Sequence, residues 1–129
     1  MKIILKRINK NLLSAICPDI TNINGLISAQ AFEEVRVNDN LYALVDIEAK
    51  DTGKEINFGL ISEEEESSYT FLQFIYGDVV FIRKDIEGNY IDVTEEDMDF
   101  LYLNHSNNAI ISNKTNAKYD VLEIPKHII

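Results

Sequence analysis

The sequence predicts an α+β fold: a predominantly antiparallel β-sheet of hairpins, with two or three short helices packed on one face. Three observations predict it. Several short stretches alternate apolar and polar residues at a period of two. Turn signals such as Asp51-Thr52-Gly53, Gly77-Asp78 and Asp85-Ile86-Glu87-Gly88-Asn89 separate those stretches. A strong helix start occurs at one place, where Thr94 precedes three acids. The 129 residues read as a single domain, 1–129, long enough to bury a core without disulfide or metal staples.

The elements follow in order. Lys2–Ile8 is β-rich and reads as a first strand. Asn11–Ile16 fits one or two helical turns that end before Pro18, because the residue before a proline avoids the α region. Asn24-Gly25 is a turn signal. Ser28 is placed to cap a helix running to Val35, with Ala31, Phe32 and Val35 on one face. Leu41, Ala43, Val45, Ile47 and Ala49 alternate with Asp46, Glu48 and Lys50, while Ile56, Phe58 and Leu60 alternate with Asn57 and Gly59. Asp51-Thr52-Gly53 lies between the two runs and predicts a hairpin, since Asp bonds turn backbone and Gly accepts a positive φ.

Tyr69–Tyr76 and Val79–Lys84, rich in aromatic and β-branched residues, predict two more strands around Gly77-Asp78. A helix over Glu63–Tyr76 is the rival reading of the first, because acids suit a helix start; Thr70, Ile75 and the aromatics favour the strand. Asp85–Asn89 turns into Tyr90–Val93. Thr94 then opens a helix with Glu95, Glu96 and Asp97 in its first turn and Met98, Leu101 and Tyr102 on one face. Asn104–Asn108 reads as a loop. Ile110–Ser112 and Lys118–Ile124 read as a last hairpin around Asn113–Asn116.

Composition excludes several classes. Hydrophobic residues at 46% and charged residues at 26% argue against a wholly disordered chain. A net charge of -10 opposes binding to nucleic-acid backbones or anionic lipid. The acidity belongs to residues 28–104, which hold nineteen Asp/Glu against five Lys/Arg. The apolar run Ile3-Ile4-Leu5 is shorter than the roughly 7 to 15 residues of a signal peptide, and no stretch nears the roughly 18 of a membrane span. The expectation is a cytoplasmic protein without membrane contact. Abundant Ile and Asn with no Trp fit an AT-rich coding sequence, as in many bacteria and phages.

No catalytic motif emerges. His105 and His127 are far apart, lie outside any HExxH pattern and read as surface histidines. Cys17, the single cysteine, reads as a small buried hydrophobe. There is no G-x-S-x-G elbow and no glycine-rich phosphate loop. The turn starting at Asp85 places Gly88 fourth, where a calcium-binding EF-hand loop needs glycine sixth. The expectation is a protein that is not an enzyme, with no catalytic residue, no metal and no cofactor.

The acids themselves are the candidate site. Glu63, Glu64, Glu65 and Glu66 form a run beside Tyr69; Asp85, Glu87, Tyr90 and Asp92 follow; Glu95, Glu96, Asp97 and Asp99 make a second cluster. A negative face speeds association with a basic partner and rejects wrong ones, and tyrosines are frequent anchors in such contacts.

A small, acidic, single-domain chain with its charge between Ser28 and Asn104, concentrated at Glu63–Glu66 and Thr94–Asp99, resembles the immunity proteins of bacterial toxin systems. The nearest class comprises those paired with contact-dependent growth-inhibition toxins. The resemblance is one of type, without an aligned motif, and transfers no residue role. It implies a monomer that binds a cognate basic toxin domain 1:1, such as a nuclease, and occludes its active site without touching nucleic acid. Two alternatives use the same features. One is a phage nucleic-acid mimic, which needs acids spread over an extended face. The other is a structural or regulatory interaction module with an apolar strand edge, for which Ile110–Ser112 and Leu122–Ile129 are candidates.

Overall fold

The computed structural model describes residues 1–63, 68–110 and 117–128. Among these described residues ten strands occur in chain order: β1 (Lys2–Lys6), β2 (Leu13–Ile16), β3 (Phe32–Arg36), β4 (Leu41–Asp46), β5 (Ile56–Glu63), β6 (Tyr69–Tyr76), β7 (Val79–Lys84), β8 (Tyr90–Ile91), β9 (His105–Ile110) and β10 (Lys118–Glu123). Two short α-helices, α1 (Ile23–Leu26) and α2 (Glu95–Asn104), complete the α+β fold. The strands form two sheets. A six-stranded antiparallel sheet has the order β2-β1-β7-β4-β3, with β8 pairing the end of β7. A four-stranded sheet has the order β6-β5-β10-β9, in which β10 runs parallel to β5.

Strand alternation gives each sheet two faces. Ile4, Leu41, Ala43, Val45, Val79 and Phe81 of the larger sheet meet Phe58, Leu60, Ile75 and Leu122 of the smaller one in the main core. Phe58 and Phe81 stack across the gap at 6.0 Å between ring centroids. Residues of opposite parity on the larger sheet (Ile3, Leu5, Leu44, Val80 and Ile82) form a second core with Cys17, Ile23 and Ile27. The segment containing α1 therefore roofs the outer face of the larger sheet. Each such aliphatic side chain fully removed from water contributes roughly 1.5–3 kcal/mol. Helix α2 sits elsewhere: Leu101 enters the inter-sheet core, and the Asp97 carboxylate meets Arg83 of β7 at 2.8 Å. Its start is as expected from sequence, with the Thr94 hydroxyl accepting from Asp97 N–H and the Asp97 carboxylate accepting from Thr94 N–H.

The expected hairpins are redistributed. β4 and β5 do not pair; they belong to different sheets. Ile47 and Ala49 leave the strand because Asp46 caps a single helical turn, its carboxylate accepting from Glu48 N–H. Lys54 N–H bonds Ala49 C=O and Gly53 N–H bonds Lys50 C=O, with Gly53 at φ +78°. That is a Schellman helix ending, so Asp51-Thr52-Gly53 stops a helical turn instead of closing a hairpin. The Lys54 ammonium anchors this corner on Asp46 at 2.7 Å and on the carbonyls of Ile27 and Ser28. Burial pushes the Asp46 carboxyl up, yet Lys54 and the Glu48 N–H outweigh it and hold the group below its ordinary range.

Gly77-Asp78 likewise carries the chain from β6 in one sheet to β7 in the other. Gly77 has φ +79°, and a Cβ there would lie 2.9 Å from the Lys54 side chain. The Asn57 amide donates to the carbonyls of both Lys6 and Gly77, joining the sheets at this corner. The true partners are β5 with β6 and β1 with β2, so Asn11–Ile16 ends in a strand where a helical turn was expected.

Ser28 ends a helix instead of starting one. It adopts φ +53°, Ala29 N–H bonds Asn24 C=O and Ser28 N–H bonds Gly25 C=O, again the Schellman pattern. Phe32–Arg36 is then free to pair with β4. The Asn104–Asn108 loop is mostly strand, since β9 begins at His105. β9 and β10 do pair antiparallel, and the turn Asn113–Asn116 lies outside the described residues.

Candidate functional site

The two outer faces differ. On the four-stranded sheet, Phe58, Leu60 and Leu122 point to the core, so Gly59, Ile61, Glu63, Val121 and Glu123 point away from it. Across this face Phe74 lies 4.9 Å from Tyr119 and 4.7 Å from Phe71, centroid to centroid, with Tyr76 at 6.5 Å. Phe74 is on β6 and Tyr119 on β10, two strand spacings or roughly 9.6 Å apart. Their rings meet because the residue of β5 beside Phe74 is Gly59, which has no side chain to intervene. Among the described residues no helix covers this aromatic row. Tyr69 remains 55% exposed and Phe71 40% exposed.

Beside the row lies a groove of about 390 Å³. Ile61 and Val121 contribute from the two central strands, Tyr69 and Phe71 from β6, and Leu103 from the last turn of α2. Leu103 is 83% exposed, whereas Leu101 of the same helix is buried. Glu123 also lines the groove, with Glu63 on the neighbouring strand. Burial, and then the negative charge of Glu63, push the Glu123 carboxyl above its ordinary range. No ion pair to either carboxylate is formed among the described residues.

The structure sorts the sequence-predicted site residues. Glu63 and Tyr69 face each other across β5 and β6 and belong to this surface. Glu64, Glu65 and Glu66 lie outside the described residues. Asp97 is 4% exposed and spends its carboxylate on the helix cap and Arg83, so it offers little to a partner. Asp92 accepts from Lys2 N–H. Asp85 accepts from the N–H groups of Glu87 and Asn89; these bonds, Asn89's first, hold its carboxyl below the usual range and order the β7–β8 turn.

Tyr90 packs edge-on against Phe32 and donates its hydroxyl to Glu34. Its pKa is pushed up to about 12 by burial first and by the Glu34 carboxylate second. Glu87, Glu95, Glu96 and Asp99 are exposed. The acidic segments therefore do not merge into one face: some brace the fold, Glu95 and Glu96 lie about two turns of α2 from Leu103, and Asp99 is one turn from it.

Sequence reasoning missed Phe71, Phe74, Leu103, Tyr119 and Glu123. The available signal was the run Phe71-Leu72-Gln73-Phe74-Ile75-Tyr76, apolar at both parities of an edge strand. His105 also departs from expectation. It is half-buried between the sheets, its Nε2 lies 4.0 Å from Asp120, and Asp120 pairs at 3.2 Å with the fully buried Lys6. Burial, then Lys6, hold its pKa below the ordinary 6.5. Cys17 is buried as expected, and His127 is exposed. The proposed free edge at Leu122–Ile129 is not one: Leu122 is buried and β10 is an interior strand.

Among the described residues no group of His, Cys, Asp or Glu is arranged to hold a metal ion, and no helix is long and apolar enough to cross a membrane. No family model matches the chain, and neither a curated protein nor a solved structure matches it.

Proposed function

We propose that this protein is a stoichiometric binder of a basic partner domain, of the toxin-immunity kind, acting in the bacterial cytoplasm without chemistry of its own. The uncovered aromatic face of the four-stranded sheet, bordered by Glu63 and Glu123 on a chain of charge -10, is the observation that carries this reading. Aromatic rings supply anchoring area at small entropic cost, while the surrounding negative field steers a cationic partner. A toxin domain such as a basic nuclease fits that description, and seating on this face would block its substrate cleft.

The test is a tagged pull-down from a bacterial lysate, washed at low and then high salt, followed by purification of the retained pair. The expected result is one basic polypeptide, toxic when expressed alone, released by salt and bound 1:1. Replacing both Tyr69 and Phe71 by Ala should abolish retention, and Glu63→Lys should slow association roughly three- to tenfold at low salt. Recovery of the protein alone, with self-association in light scattering, would overturn the inhibitor reading in favour of a self-assembling module.

A further inference from the structure

The groove beside the aromatic row has an asymmetric chemistry. Apolar and aromatic side chains (Ile61, Tyr69, Phe71, Leu103 and Val121) share its lining with Asn104, Ser106 and the Glu123 carboxylate. Glu63 follows Ile61 by two positions on β5, as Glu123 follows Val121 on β10, so both acids project outward from neighbouring strands at one end of the sheet. Glu123 is level with Ile61 and partly buried, and exposed Glu63 lies two residues further along β5, where its charge disfavours a second carboxylate. Neither carboxylate is paired with a cation among the described residues. A guest with an apolar stem and a positive head would satisfy both parts of this environment.

We propose, resting on the partner-binding reading above, that the groove receives an arginine side chain of the basic partner. Its methylene stem lies along Leu103, Ile61 and Val121. Its guanidinium stacks against Tyr69 or Phe71 and meets the carboxylates of Glu123 and Glu63. Arginine suits the site better than lysine because a planar guanidinium stacks on rings and presents parallel donors to two acceptors, whereas an ammonium is a strongly hydrated point charge. A groove of about 390 Å³ has room for one such side chain.

The experiment is NMR titration of the full chain with acetyl-Gly-Arg-Gly-amide, and separately with the same peptide carrying citrulline, the neutral isostere. Saturable shifts of the Ile61 and Val121 methyls are expected with arginine and none with citrulline. Glu123→Gln, outward-facing and nearly isosteric, should weaken the arginine response roughly five- to tenfold. Absence of saturable shifts, equal shifts with citrulline, or an unchanged response in Glu123→Gln would overturn the proposal. The citrulline comparison uses the unmodified protein, so it decides the matter even if the variant folds poorly. A basic partner captured while the arginine peptide fails overturns the groove assignment alone. Arginine binding with no partner captured supports the groove and overturns the inhibitor reading.

Discussion

The outer faces of the two sheets receive comparable apolar side chains and meet different fates. On the six-stranded sheet, Ile3, Leu5, Leu44, Val80 and Ile82 are roofed by Cys17, Ile23 and Ile27, and each of these residues is at most 5% exposed. On the four-stranded sheet, Phe71, Phe74 and Tyr119 contact one another across Gly59, while Tyr69 and Phe71 stay 55% and 40% exposed. The roofed face is aliphatic, and the open face is aromatic with tyrosine hydroxyls and carboxylates at its margin. Aliphatic residues gain only from removal of water, so they need a roof. Aromatic rings also bind edges, faces and cations, and tyrosine keeps a polar end for solvent. The difference separates a face closed by this chain's own residues from one left open.

The sharpest test of that division is a pair of truncations. Ile27→Ala, on the roofed face, should cost about 2–4 kcal/mol in urea denaturation. Phe71→Ala, on the open face, should cost about 1 kcal/mol or less. Equal losses would mean that both faces serve stability alone.

A smaller effect is expected inside the sandwich that the faces enclose. Lys6→Met leaves the partly buried Asp120 without its cation and should cost about 2 kcal/mol, most of it recovered when Asp120→Asn is added. The same variant should raise the pKa of His105, because Lys6 helps to depress it. The sign follows from linkage. With its folded pKa below 6.5, His105 takes up its proton first in the unfolded chain, so its contribution is full above 6.5 and is lost as pH falls through the folded value. Lys6→Met should therefore flatten the fall in stability below about pH 6.5, readable as urea midpoints across pH. An unchanged pH profile would remove Lys6 from that account.

The smallest effect concerns the roof itself. Ser28→Gly relieves a left-handed non-glycine residue at the end of α1 and should stabilise the protein by about 0.5–1 kcal/mol, again by urea denaturation. A loss of stability would show that the Ser28 side chain contributes more than its backbone strain costs.

Much of the local structure was legible in residue order. The β-rich run Val79–Lys84 and the helix start Thr94–Asp97 depend on contacts a few residues apart and formed as read, whereas the alternating run Leu41–Ala49 kept its strand only to Asp46. The candidate site was legible only at Glu63 and Tyr69, where charge and an exposed aromatic adjoin in sequence. Phe74 and Tyr119 are 45 positions apart, and nothing local announces that Gly59 would let their rings touch.

The sequence by itself determined that this would be an acidic α+β domain rich in short strands, because composition and period-two patterning are properties of neighbouring residues. Only the tertiary structure decided which strands pair. Asp51-Thr52-Gly53 and Gly77-Asp78 are equally good at closing a hairpin or turning a corner between sheets, and the choice fell to distant groups: Lys54 on the carbonyls of Ile27 and Ser28, and Asn57 on those of Lys6 and Gly77. A turn signal specifies a change of direction through local backbone preference. Where the chain goes next depends on hydrogen-bond partners and apolar surfaces that come together only when the whole chain folds.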